Sequence, residues 1–183
     1  IIGIYSIIFF VFSCSSPSNN ENQSVSEVII DDLGREIKLN DVPKRVISLA
    51  PSITEIIYFI GAEEKLVART QACDYPEEVK KLPIISTYPL DIESIVKLKP
   101  DLVFSVDGIV NADQIKKLEE LGVKVFFQKY ATIDDINRSI NTIGKIMGVE
   151  KKALDLVDSL KSELKIVTVE NENPLQVLNV TWS

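Results

Sequence analysis

The side chains that could carry chemistry in this chain include no histidine. This absence excludes histidine-based triads and removes the commonest general acid or base and a leading metal ligand. Carboxylates occur in adjacent pairs, but each pair falls at a predicted turn or helix start, where solvated acids are ordinary. The pairs are Asp31-Asp32, Glu63-Glu64 and Asp134-Asp135. We therefore expect neither a paired-carboxylate catalytic site nor a bound metal.

Other sequence signatures of catalysis are missing as well. The chain contains no Gly-x-Gly-x-x-Gly, no Gly-Lys-Ser/Thr phosphate loop and no Gly-x-Ser-x-Gly elbow. Cys73 is expected to be a small, partly buried apolar residue, since one unpaired cysteine builds no disulfide framework. A net charge of −7 without a basic stripe disfavours nucleic acid as a partner. These features disfavour both an enzyme and a nucleic-acid-binding protein.

Polar side chains are concentrated where the predicted strands end. They stand in the segments 50–52, 68–71, 86–88, 106–108 and 128–130. Ligands of parallel α/β sheets bind beyond the carboxyl ends of the strands, so these segments are the predicted ligand site. The candidate ligand contacts are Ser52, Arg69, Tyr88, Asp107 and Tyr130. The alternative for Tyr88 is a partly buried packing role, and the alternative for Arg69 is a solvated arginine.

The elements that must position these side chains alternate along the chain. A hairpin is predicted over 28–39, with its turn at Gly34. Short apolar runs predict strands at 45–50, 66–68, 84–86, 101–106 and 123–127. Helices are predicted over 52–60, 91–98, 112–121 and 133–147, the first with a capping box of Ser52 and Glu55. The fold class is therefore α/β, one Rossmann-like lobe with a mainly parallel sheet over residues 28–148.

A long helix follows this lobe. Apolar residues recur at helical spacing from Glu150 to about Glu170, which predicts a helix across 149–171. A helix of about 20 residues spans roughly 30 Å, long enough to join two lobes. A new strand is predicted at Leu175–Val180, and one strand after a long helix has no sheet of its own. We expect residues 174–183 to begin a second lobe that is truncated here.

The first residues look like a targeting signal. Residues 1–12 are almost uniformly apolar, yet too few to cross a bilayer as a helix, for which about 20 are needed. We predict a signal peptide remnant at 1–13. The sequence Val11-Phe12-Ser13-Cys14 resembles a bacterial lipobox, which would make Cys14 the lipidated N-terminus. Residues 14–27 then form a polar, flexible tether, and the chain as a whole is predicted to be a fragment.

Several segments, in their order and spacing, are shared with a known family. They are Asp32–Arg35, Pro43–Ser52 with Thr54-Glu55, Asp74–Pro76, Ser86-Thr87, Asp91–Val103 and Leu118–Val125. In these segments the chain resembles the substrate-binding proteins of bacterial ABC importers for cobalamin, iron-siderophores and haem. The resemblance covers about 28–180.

The resemblance implies two α/β lobes joined by a rigid helix, with the ligand held between them. Together with the lipobox, it implies a binding lipoprotein in the periplasm or at the cell surface, anchored in the membrane by its lipid. Such a protein has no catalysis and no resident cofactor. Its partners are an ABC permease dimer with its ATPase, and Glu93 matches the family's permease-docking glutamate. A helix-N-terminal carboxylate favoured by the macrodipole is the alternative role for Glu93.

The nearest branch of the family by local similarity is the cobalamin-binding one. Tyr88 matches a cleft position that carries an aromatic residue in that branch, whereas Ala72 and Val106 stand at two further aromatic positions. Each missing aromatic removes a large flat contact surface. Cobalamin or a related corrinoid is the expected ligand, with a ferric siderophore or haem as the alternative. Less favoured alternatives are a receptor for free zinc or manganese and a doubly wound α/β enzyme.

Overall fold

A computed structural model of the protein describes residues 27–167. The predicted signal remnant at 1–13, the lipidation of Cys14, nearly all of the tether and the predicted start of a second lobe at 174–183 lie outside them. The strands are β1 (Glu27–Ile30), β2 (Glu36–Leu39), β3 (Val46–Ser48), β4 (Leu66–Thr70), β5 (Ile84–Ile85), β6 (Leu102–Val106) and β7 (Val125–Gln128). The α-helices are α1 (Pro51–Phe59), α2 (Ile92–Lys97), α3 (Ala112–Glu120), α4 (Ile133–Met147) and α5 (Glu150–Val167).

Strands β3 to β7 form one sheet in the order β5-β4-β3-β6-β7. Every neighbouring pair in this sheet is parallel, so the predicted α/β fold with a mainly parallel sheet is confirmed. The carboxyl ends of all these strands therefore lie at one edge. The chain leaves that edge through the segments that carry the candidate ligand contacts.

Alternating side chains divide the interior into two cores, one on each face of the sheet. Val46 packs with α1, α4 and α5, while its neighbour Ile47 packs with α2 and α3. On β6, Phe104 lies in the first core and Val103 in the second. Coverage of both faces explains why these strands are continuous apolar runs in the sequence.

The hairpin β1–β2 is antiparallel and forms a separate small sheet. It lies along β7, the edge strand. The Asp32 amide donates to the Phe127 carbonyl over 3.1 Å, and Lys124 Nζ donates to the Lys38 carbonyl over 2.6 Å. The hairpin thereby covers backbone groups that an edge strand would otherwise present to another chain.

Side-chain caps begin three of the helices among the described residues. Asp91 caps α2, and full capping boxes begin α3 (Asn111 with Gln114) and α4 (Thr132 with Asp135). The capping box predicted at Ser52 and Glu55 is wrong, because α1 begins one residue earlier at Pro51 and has no side-chain cap. Proline suits the first helical position, since it lacks an N–H that would need a partner there.

Helix α5 packs along α4, and the two helices approach closely at Gly144 and Ala153. Val157 of α5 is buried in the same core, whereas Leu154 and Leu160 are exposed. Within residues 27–167, no helix combines the length and apolarity required to span a membrane.

Candidate functional site

An open hollow of about 860 Å³ lies at the carboxyl edge of the sheet. Its walls come from the segments after β5, β6 and β7 and from the turn of the hairpin. The lining includes Leu33, Thr87, Tyr88, Asp107 and Lys129. A concave site of this size, with apolar walls and a few polar groups, is typical of a small-molecule site.

Tyr88 is the most exposed large hydrophobic side chain of the hollow, with 98% of its surface accessible. It stands in a tight turn after β5 whose base is closed by the Asp91 amide, which donates to the Ser86 carbonyl over 3.0 Å. The next large residue, Leu90, is buried in the core beneath the turn. An anchored turn therefore presents an unpacked phenol ring to solvent, which argues against the packing role for Tyr88.

Asp107 and Lys129 bring opposite charges to the rim of the hollow. The Asp107 amide donates to the Gln128 carbonyl over 3.1 Å, which joins the ends of β6 and β7. Gly108 then reverses the chain with a φ of 82°, a conformation that glycine adopts without strain. Both charged side chains are exposed. A ligand in the hollow would therefore contact them without any rearrangement of the protein.

Ser52 and Tyr130 lie elsewhere, in a separate apolar groove between α1, α4 and α5. The groove has a volume of about 310 Å³ and is also lined by Phe59, Ile136 and Leu160. The Tyr130 hydroxyl donates to Gln128 Oε1 over 2.9 Å and lies 3.0 Å from Ser139 Oγ. Burial raises the pKa of Tyr130, so the phenol stays neutral. The structure thus does not bring these two predicted contacts together with Tyr88 and Asp107.

Arg69 is buried, with 6% of its surface exposed. Its guanidinium donates to the carbonyls of Thr70 (3.0 Å), Cys73 (2.9 Å) and Lys80 (3.3 Å). The side chain therefore holds the loop between β4 and β5, and it is not the solvated arginine of the alternative hypothesis. Its role as a ligand contact stays a prediction. Cys73 is buried beside it, in agreement with the apolar role expected for that residue.

Glu93 is exposed near the N-terminus of α2. The preceding cap, Asp91, accepts a hydrogen bond from the Ser94 amide over 2.9 Å. Hydrogen bonding from Ser94 holds the pKa of Asp91 below its ordinary value. Ala72 is exposed and Val106 is half-buried, so neither position presents an aromatic ring to the site. In the described part of the chain, no group of three or more cysteine, aspartate or glutamate side chains could hold a metal ion.

Leu33 and Lys129 are among the lining residues of the hollow that were not candidate ligand contacts, although Lys129 stands in the predicted segment 128–130. Lys129 follows β7 directly, so the rule that selected Asp107 would also have selected it. Leu33 belongs to the hairpin, which precedes the parallel sheet in the chain. No pattern in the sequence places that turn beside the end of β7.

Known proteins share these features of sequence and fold. Residues 46–172 match the periplasmic binding protein family. An uncharacterized ABC transporter substrate-binding lipoprotein of Bacillus subtilis is 35% identical over 162 residues, which are 83% of this chain and 52% of that protein. A vitamin B12-binding protein of Vibrio vulnificus is 33% identical over 71% of this chain and 48% of its own length.

A solved structure has the same fold. It is that of a possible iron-binding periplasmic solute-binding protein from Staphylococcus epidermidis, with a TM-score of 0.65 and 35% identity over 69% of this chain and 51% of that one. The chain thus spans about half the length of the relatives it matches. With a parallel sheet, a hollow at its carboxyl edge and a family match over most of its length, the chain belongs to the periplasmic binding protein family.

Proposed function

We propose that this chain is part of an extracytoplasmic substrate-binding lipoprotein of an ABC importer, which captures cobalamin or a related corrinoid between two lobes. The observation that carries the proposal is Tyr88, an almost fully exposed aromatic ring on the rim of the 860 Å³ hollow. An exposed ring on an anchored turn is suited to packing against a flat macrocycle. The vitamin B12-binding relative, which matches 71% of this chain, supports the same ligand class.

The remaining lining fits a ligand with an apolar body and polar substituents. Ile109 and Leu33 contribute apolar surface, while Asp107, Asn111 and Lys129 contribute charges and an amide. A corrinoid carries a large ring with amide side chains at its periphery, so both kinds of contact would be used. Helix α5 is proposed as the rigid link to a second lobe, which would supply the opposite wall of the site.

The experiment mixes the full-length protein with cyanocobalamin and follows co-elution by absorbance in gel filtration, with the Kd measured by calorimetry. Tyr88→Ala is expected to weaken binding by about tenfold, because it removes a stacking surface. Tyr75→Ala is the matched control, since Tyr75 is 56% exposed but packs against Phe59 away from the hollow. Equal affinities of the Tyr88→Ala protein and the wild type would contradict the proposed site.

A ferric siderophore or haem is the second candidate ligand. It is favoured by the likeness to the possible iron-binding protein of Staphylococcus epidermidis. Hemin and ferrichrome enter the same gel-filtration experiment as separate samples. Co-elution of either one without cyanocobalamin would replace the corrinoid by an iron chelate.

The partners and the location follow from the same proposal. We propose that Cys14 carries the lipid anchor and that the protein delivers its ligand to a permease dimer with its ATPase. The Bacillus subtilis relative is called a lipoprotein, which supports the anchor. Glu93, exposed at the start of α2, is the proposed docking residue on this lobe.

A further inference from the structure

The turn of the N-terminal hairpin lies on the wall of the hollow. Leu33, at the tip of this turn, is 43% exposed and lines the hollow together with Tyr88, Asp107 and Lys129. An apolar side chain at a loop tip usually lies in a mobile part of a protein. The contacts around Leu33 show that this turn is held in place.

The carboxylate of Asp31 organises the turn from inside. Its side chain is fully buried and accepts hydrogen bonds from the amides of Leu33 and Arg35, each over 3.0 Å. It also pairs with the Arg35 guanidinium, whose Nε lies 3.0 Å from Asp31 Oδ2. The Phe127 amide of β7 donates to the same carboxylate over 3.3 Å. A buried charge that is paired and hydrogen-bonded in this way strongly favours one backbone conformation.

Asp32 attaches the turn to the strand end that borders the hollow. Its amide donates to the Phe127 carbonyl over 3.1 Å, and its carboxylate accepts a hydrogen bond from the Lys129 amide over 2.7 Å. Arg138 of α4 pairs with the same carboxylate. Phe127 and Lys129 themselves line the hollow, so Leu33 is attached directly to the wall of the site.

Arg35 fastens the other side of the turn. Its Nη1 lies 2.7 Å from Glu119 Oε1 of α3, and its Nη2 donates to the Val125 carbonyl over 2.9 Å. The turn is therefore bonded to α3, α4 and β7. A side chain presented by so constrained a backbone loses little further freedom when a ligand binds, which favours affinity.

We infer that Leu33 is a ligand contact of this site and that Asp31 is its positioning residue. The inference rests on the proposed function and extends it: the hairpin supplies an apolar wall of the site, separate from the loops of the parallel sheet. Leu33 takes an apolar surface of the ligand. Asp31 acts through the backbone of the turn, since its carboxylate is bonded within the protein.

The test uses the full-length protein, with cyanocobalamin, hemin and ferrichrome as separate probes. Leu33→Ala is expected to weaken binding of the preferred probe by about tenfold, since it removes apolar contact area. Leu33→Met is expected to retain the affinity within about twofold, because methionine refills the same volume. The melting temperature should not change in either variant, since the Asp31 contact uses the backbone amide of residue 33.

Leu121→Ala is the matched control, because Leu121 is 51% exposed at the end of α3, away from the lining of the hollow. Asp31→Asn should weaken binding in the same direction as Leu33→Ala. It should also raise hydrogen exchange at the amides of Leu33 and Arg35, which a change in the ligand contact alone would leave unaltered.

The outcomes separate this inference from the proposed function. Wild-type affinity in Leu33→Ala, together with weakened binding in Tyr88→Ala, would overturn the role of Leu33 and leave the proposed function standing. An equal loss of affinity in Leu121→Ala would also overturn it. If the wild-type protein binds none of cyanocobalamin, hemin and ferrichrome, the proposed function fails and the inference fails with it.

Discussion

At the scale of single residues, the side chains near the carboxyl ends of the strands take different directions. Asp107 and Tyr88 both follow apolar strands and both lie at the hollow, as the geometry of a parallel sheet predicts. Arg69 obeys the same rule, yet its guanidinium turns back to cap three carbonyls of its own loop. The direction of a long side chain depends on its neighbours in space, and sequence spacing does not encode these.

Asp135 is a residue for which the structure implies a pH dependence of stability. Its carboxylate accepts hydrogen bonds from Arg138 Nη2, from Thr132 Oγ1 and from the amides of Ala131 and Thr132. These bonds, that from Arg138 above all, hold its pKa well below the ordinary value of 3.8. A carboxyl whose pKa is lowered on folding stabilises the folded state above its unfolded pKa, and that contribution is lost as the pH falls further.

We therefore predict that Asp135→Asn lowers the free energy of unfolding at pH 7 and that its difference from the wild type shrinks below about pH 4. Urea denaturation at pH 7, 5, 4 and 3 measures the difference. Asp134→Asn, one residue earlier and exposed, is the control and should show a smaller effect at every pH. A difference for Asp135→Asn that is constant across this range would contradict the prediction.

At the scale of elements, the spacing of the hydrophobic residues and the helix caps determine most of the boundaries of helices and strands. Helix α4 begins and ends where predicted, because a capping box precedes it and Gly148 ends it with a φ of 71°. Helix α1 departs from the prediction, because Pro51 can itself begin a helix and leaves Ser52 inside it. The contact between α4 and α5 was not predicted, since it depends on one small residue in each helix.

A substitution at Gly144 tests the contact between α4 and α5. A Cβ at Gly144 would collide with the Cβ of Ala153, so the two helices can pack closely only because position 144 is glycine. Glycine to alanine in a helix normally stabilises by up to about 1 kcal/mol, whereas overpacking costs about 1–3 kcal/mol. We expect overpacking to dominate, so that Gly144→Ala lowers the free energy of unfolding in urea denaturation.

The double variant Gly144→Ala with Ala153→Gly is the control. Removal of the Ala153 methyl group makes room for the new methyl group at position 144. The double variant should recover part of the stability lost in the single variant. A Gly144→Ala protein that is more stable than the wild type would show that helix propensity prevails at this position.

At the scale of the whole molecule, the hairpin and the helices define the surfaces with which the lobe can meet ligand or partner. The hollow lies at the carboxyl edge of the sheet, and the apolar groove of Phe59 and Leu160 lies between α1, α4 and α5. Glu93 lies on α2, which packs on the opposite face of the sheet from α1, α4 and α5. Each of these surfaces is formed by elements that lie far apart in the sequence. The separate positions of the surfaces on the lobe therefore depend on the tertiary fold.

Permease docking gives a prediction at this scale. Glu93→Lys in the full-length protein should lower uptake by cells by about tenfold or more, because it replaces an attraction by repulsion. Ligand affinity should be unchanged, because Glu93 does not line the hollow. The measurement is uptake of the ligand beside its Kd for the purified protein.

Asp113→Lys is the matched control for this charge reversal. Asp113 is exposed and stands one residue after the first residue of α3, the position that Glu93 has in α2. Both variants place a cation near a helix N-terminus and should lose similar stability. Equal uptake in the two variants would remove Glu93 from the docking surface.

The sequence by itself determined the alternation of strands and helices, the parallel sheet and the edge at which a ligand site would form. These follow from hydrophobic period, helix caps and the geometry of parallel strands, all of which act within short segments. Only the tertiary structure decided that Leu33 joins the hollow, that Ser52 and Tyr130 lie in another groove and that Arg69 is buried. The reason is physical: the bond between Asp31 and the Phe127 amide joins residues 96 positions apart, and such contacts arise only when the whole chain packs.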